Sequence, residues 1–127
     1  MTMQVLLVED NAKVATQLEN ALTKAGFDVT TAINGLDGYN KAQQTRFDVC
    51  VVDHLMPLMD GRQLLKNLSA LTDNQPSFVV FMSTQDLKAV EQLPEVQFAD
   101  TILSKPISDE DFIALIHSLT EQSTEVA

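Results

Sequence analysis

Three short runs, Val5 to Val8, Val49 to Val52 and Phe78 to Met82, are apolar at consecutive rather than alternate positions. A strand with one wet face alternates with a period of two, so a continuously apolar run suits a strand covered on both sides. Thr101 to Leu103 is a fourth such run, and the more polar stretch Asp28 to Ala32 suits a sheet edge. Between these runs lie helical patterns. Asn11 can cap a helix carrying Val14, Leu18, Leu22 and Ala25, stopped by Gly26. Leu36 to Thr45 is a weaker second pattern, and Gly61 to Leu71 carries Leu64, Leu65, Leu68 and Leu71 on one stripe. Ser108 with Asp111 resembles a capping box ahead of Phe112, Leu115, Ile116 and Leu119. The stretch from Gln85 to Leu93 is the weakest helix, cut short by Pro94. Strand and helix in alternation predict one α/β domain over residues 1–120, built on a parallel sheet with right-handed crossovers. Residues 121–127 read as a polar tail or a truncated linker.

Composition narrows the function. The chain has 127 residues, enough for one domain with its own core. Eighteen acidic residues against eight basic ones give a net charge of −10, which disfavours direct binding to nucleic acid. No apolar run approaches the length of a membrane span, and no basic segment precedes an apolar stretch at the start. A single cysteine, Cys50, lies inside an apolar run and has no internal partner, which suits a buried side chain in a reduced, cytoplasmic setting.

In parallel sheets, ligands bind beyond the carboxyl ends of the strands. The first run here ends in Glu9 and Asp10, the third in Asp53, the fourth in Ser83 and Thr84, and the fifth in Ser104, Lys105 and Pro106. Strands must stop somewhere polar, so one such ending carries little; four on one rim carry much more. Three carboxylates on neighbouring strands repel, by roughly 4 kcal/mol for a pair about 4 Å apart at an effective dielectric near 20. One of them is protonated or a cation sits among them. Hard oxygen ligands with room for water suit Mg²⁺, or Mn²⁺. On this reading Asp53 is a nucleophile that accepts a phosphoryl group, Asp10 and Asp53 hold the metal, and Glu9 orients a metal-bound water. Ser83 and Lys105 receive the phosphoryl oxygens, although Lys105 as a structural counter-ion is the plainer alternative. His54 is expected to turn away from the site or lie in the loop, and His117 to have no functional role.

These residues resemble the receiver domain of bacterial two-component response regulators, of the chemotaxis-regulator type. The resemblance spans Val5 to Leu119 and rests on VLLVEDN at 5–11, VVDHLMPLMDG at 51–61, MST at 82–84 and LSKP at 103–106. It implies a flavodoxin-like fold with five parallel strands in the order 2-1-3-4-5 and helices on both faces. It implies phosphorylation of Asp53, and Mg²⁺ bound by Asp10, Asp53 and the Leu55 carbonyl, with Glu9 acting through water. Ser83 becomes the switch hydroxyl and Lys105 the phosphate-binding cation. Pro57 and Gly61 shape the loop after the third strand, and the bond before Pro106 is expected to be cis. The implied phosphodonor is a sensor histidine kinase or phosphotransfer protein, and the implied recipient of the signal is an output domain or effector protein. Such a domain catalyses its own phosphotransfer and dephosphorylation and is not a turnover enzyme.

Three departures from the family stand out. Ile102 occupies the place, three residues before Lys105, where an aromatic side chain commonly reports the switch. Pro94 and Phe98 predict a short or displaced fourth helix. The last helix carries no Arg or Lys, which argues against the charged dimer face of the winged-helix regulators. The first two departures favour an alternative, a receiver-like interaction module that no longer uses phosphate. A phosphatase of the haloacid dehalogenase type also uses an aspartate nucleophile, but it needs an Asp-x-Asp motif after the first strand, and residues 8–12 do not supply one.

Overall fold

The computed structural model describes residues 2–124. Five strands alternate with five α-helices: β1 (Gln4–Val8), α1 (Ala12–Lys24), β2 (Asp28–Ala32), α2 (Gly35–Gln44), β3 (Val49–Asp53), α3 (Gly61–Ser69), β4 (Phe78–Ser83), α4 (Leu87–Glu91), β5 (Thr101–Ser104) and α5 (Asp109–Thr124). A 3₁₀ turn, Pro94–Phe98, follows α4. All strand pairs are parallel, in the order β2-β1-β3-β4-β5. The fold class read from the sequence is the one observed, with the polar strand β2 at an edge.

The apolar strands divide the core in two by their alternation. Val5, Leu7, Val49, Val51, Val80 and Met82 pack with Leu18 and Leu22 of α1 and with Phe112 and Ile116 of α5. Leu6, Val8, Cys50, Val52, Val79 and Phe81 pack on the other face with Leu64, Leu65 and Leu68 of α3 and with Val90 of α4. This is why residues 49–52 lack a polar position: neither face of the strand meets water.

The helices start where the caps direct. Asn11 Oδ1 accepts from the N–H groups of Lys13 and Val14 at 3.0 and 3.1 Å, and Asp60 Oδ1 accepts from Gln63 N–H at 2.9 Å. Ser108 Oγ accepts from Asp111 N–H at 3.1 Å, the forward half of a capping box. Gly26 ends α1 in the left-handed region, at φ 97°. As Pro94 suggests, α4 is only five residues long. The last helix runs past Leu119 to Thr124, so residues 121–124 are helical rather than a polar tail. None of residues 120–124 is Gly or Pro, and Thr120 is buried with its hydroxyl on the Ile116 carbonyl at 3.0 Å. Residues 125–127 lie outside the described part.

Candidate functional site

The carboxyl ends of β1, β3 and β5 bring Glu9, Asp10, Asp53 and Lys105 to one cleft of about 420 Å³, lined also by Asn11, His54, Leu55 and Thr84. Strand alternation sets the arrangement. Glu9 continues the parity of Val5 and Leu7, Asp53 that of Val49 and Val51, and Lys105 that of Leu103, so these three belong to the α1–α5 side of the sheet. Lys105 Nζ lies 2.6 Å from Glu9 Oε1 and 2.9 Å from Asp53 Oδ1, tying strands β1, β3 and β5 together at the rim. Glu9 Oε2 also accepts from the Asn11 N–H at 3.1 Å.

Burial works against the ammonium charge of Lys105, but its bonds to Glu9 and Asp53 outweigh this and hold its pKa above the ordinary lysine value. Burial pushes the Glu9 carboxyl above its usual range; Lys105 and the Asn11 N–H oppose the rise, and the charge of Asp53 adds to it. A cluster with three acids and one base is therefore electrostatically undercompensated.

That imbalance is what a divalent cation corrects. One carboxylate oxygen from each of Glu9, Asp10 and Asp53 lies within 4.8 Å of the others. The donors are all oxygens, Asp10 is exposed, and the cleft leaves room for water, which fits Mg²⁺ better than zinc. The exposed Leu55 lines the same cleft.

The loop that carries Leu55 is tightly built. Met59 N–H donates to the Pro57 carbonyl at 2.8 Å across Leu58, whose φ is 70°, so Pro57 begins a γ-turn with a left-handed, 79% exposed leucine at its tip. Gly61 N–H donates to the His54 carbonyl at 2.7 Å. A Cβ on Gly61 would lie 2.3 Å from the Asp53 carbonyl oxygen and 2.8 Å from Phe81 Cε1, so only glycine permits α3 to begin this close to β3.

Ser83 stands apart from the carboxylates. It shares the parity of Val79 and Phe81, and its side chain belongs to the α3–α4 side of the sheet. Its hydroxyl lies 2.7 Å from His54 Nδ1 and accepts from the Gln85 N–H at 3.0 Å. His54 does turn away from the acidic cluster, but it is neither exposed nor idle. It is 8% exposed, with its ring 5.1 Å from that of Phe81, centroid to centroid, and burial lowers its pKa. The strand register makes this contact: Asp53 pairs with Met82, so the next residues, His54 and Ser83, are neighbours on one face. Ile102 is half-buried against the same side of the core. The Lys105–Pro106 bond is cis, as the resemblance implies. His117 lies beside Phe27, outside the site.

Comparison with known proteins bears on the family and the fold. The family model described as "Response regulator receiver domain" matches residues 5–117. Protein PilG of Pseudomonas aeruginosa is 31% identical over 127 residues, covering 98% of this chain and 92% of that protein. Transcriptional regulatory protein PrrA of Mycobacterium leprae is 33% identical over 116 residues, 91% of this chain but 49% of that protein. The chain spans roughly half the length of several of its curated relatives, including 57% of the probable transcriptional regulator ycf29 of Porphyra purpurea. Among solved structures, the chemotaxis response regulator CheY4 of Vibrio cholerae superposes with a TM-score of 0.86 at 26% identity, over 94% of this chain and 99% of that one. The receiver domain of the sensor histidine kinase PA1611 from Pseudomonas aeruginosa, at 22% identity and a TM-score of 0.84, shares the fold over 94% of this chain and 98% of its own, and holds a magnesium ion in its active-site cleft. With the matched model covering nearly the whole chain, this protein belongs to the response regulator receiver domain family of two-component signalling.

Proposed function

We propose that this chain is a Mg²⁺-dependent phosphoacceptor switch, phosphorylated on Asp53 by a sensor histidine kinase or a phosphotransfer protein. The observation that carries this reading is the Lys105 bridge to Glu9 and Asp53 beside the exposed carboxylate of Asp10. An oxygen of Asp53 attacks the phosphorus of a phosphohistidine; the P–O bond forms as the P–N bond breaks, and the leaving imidazole takes up a proton. Lys105 is placed to exchange its bond to Asp53 for one to a phosphoryl oxygen. Asp10, Asp53 and the Leu55 carbonyl would hold Mg²⁺, with Glu9 acting through water, and the bound ion would neutralise charge on the phosphoryl oxygens. Mn²⁺ would serve in its place. The domain turns over only its own phosphorylation and passes the result to an output domain or effector protein.

A small-molecule acyl phosphate with Mg²⁺, followed by intact mass, tests the reading. The expected adduct is one phosphoryl group on the wild type and none on Asp53→Asn. An unmodified wild type would refute phosphoacceptance and leave the phosphorylation-independent interaction module, which the short α4 and the aliphatic Ile102 favour. An adduct surviving on Asp53→Asn would move the acceptor to another residue.

A further inference from the structure

We propose that His54 is a latch on the switch hydroxyl, a positioning residue that holds Ser83 on the α3–α4 side of the sheet until Asp53 is phosphorylated. The inference rests on the phosphoacceptor reading above. Phosphoryl oxygens at Asp53 only accept hydrogen bonds, so Ser83 must donate to reach one. A serine hydroxyl has a single proton. Its oxygen already accepts from Gln85 N–H at 3.0 Å, and the remaining polar partner is His54 Nδ1 at 2.7 Å. With the imidazole proton on Nε2, Nδ1 is the acceptor and the Ser83 proton is committed to it. In that tautomer the phosphoryl group and His54 compete for one proton, from opposite faces of the sheet.

The latch is rigid. Ser83 is 2% exposed and His54 8%, so no bulk water replaces either partner when the bond breaks. Phe81 lies against the imidazole, and two main-chain bonds anchor the His54 backbone: its N–H donates to the Met82 carbonyl at 2.8 Å and its carbonyl accepts from Gly61 N–H at 2.7 Å. Asp53 and His54 are consecutive residues, so the acceptor and the latch move on one strand end. At the family's aromatic position stands the aliphatic Ile102, which has no ring to follow Ser83. The ring coupled to the hydroxyl here is His54.

Affinity for beryllofluoride with Mg²⁺, a phosphoryl mimic that needs no phosphodonor, tests the latch. His54→Phe keeps a ring against Phe81 and deletes the acceptor; it is expected to bind the mimic about fivefold more tightly, the equilibrium worth of one net hydrogen bond. His54→Asn, whose Oδ1 can stand near the Nδ1 position, is expected to restore wild-type affinity. In a Ser83→Ala background, His54→Phe is expected to change nothing. Nitrogen-15 shifts of the wild-type imidazole should show Nε2 protonated and Nδ1 bare. Equal or weaker affinity in His54→Phe, an undiminished effect without Ser83, or a protonated Nδ1 would each overturn the latch. A wild type that takes up neither beryllofluoride nor phosphate would instead refute the phosphoacceptor reading beneath it.

Discussion

Replacing Lys105 with methionine keeps most of the apolar stem and removes the charge that joins Glu9 to Asp53. Glu9 has a fully buried side chain, and Lys105 is only 14% exposed, so solvent compensates little. One carboxylate oxygen from each of Glu9, Asp10 and Asp53 lies within 4.8 Å of the others, and at an effective dielectric near 20 such a pair repels by about 3 kcal/mol. Removing one partner of a buried ion pair typically costs about 3–5 kcal/mol. The exposed Asp10 side of the cleft screens part of this, so the expected loss is about 2–3 kcal/mol near neutral pH at low salt. Urea unfolding followed by far-ultraviolet circular dichroism, in chelator, measures it.

The deficit should depend on pH with a definite sign. Folded Glu9 has a raised pKa, so it retains a proton where the unfolded chain has lost one. Its contribution is favourable below the unfolded value, near 4.3, and is lost as the pH rises through the folded one. Without Lys105 the folded value climbs further, so the deficit shrinks as the pH falls toward the ordinary carboxylate range. Saturating Mg²⁺ should stabilise Lys105→Met more than the wild type, since the ion replaces the missing charge. A variant as stable as the wild type in chelator across this range, with no extra gain from Mg²⁺, would refute the electrostatic account of the cleft.

Other perturbations separate metal binding, loop packing and core burial. Asp10→Asn removes one of three repelling charges, so it should stabilise the metal-free protein by about 0.5–1 kcal/mol and abolish the rise in Tm on adding Mg²⁺. Gly61→Ala drives a Cβ to 2.3 Å from the Asp53 carbonyl oxygen and 2.9 Å from His54 Cα; a loss above about 2 kcal/mol is expected in urea unfolding. Burial pushes the Cys50 thiol up to about 12. Between the unfolded thiol value, near 8.5, and that figure, the unfolded chain loses a proton that the folded chain keeps, so stability should fall as pH rises. Cys50→Ala should remove that alkaline slope, and at mildly alkaline pH the wild-type thiol should react with a disulfide reagent only at the rate of unfolding.

The apolar runs at 5–8, 49–52 and 78–82 were enough to predict a covered parallel sheet, because no other common element buries both faces of so short a segment. The same runs located the cleft, since every strand of such a sheet points its carboxyl end the same way. Asn11 and Ser108 cap their helices through bonds made within three residues, and contacts this local are legible in sequence. Polarity misjudged the end of α5, because polar residues neither break an intrahelical ladder nor signal its end.

What the sequence by itself determined is the type of sheet, the rim on which Glu9, Asp10, Asp53 and Lys105 collect, and the family. Pairings across strands were decided only in the tertiary structure. Lys105 reaches Glu9 across 96 residues and Asp53 across 52, and His54 reaches Ser83 across 29. Such contacts depend on strand order and register, and a shift of one residue would exchange the faces of the sheet. That register puts Asp53 with the acids and Lys105, and its neighbour His54 on the opposite face with Ser83.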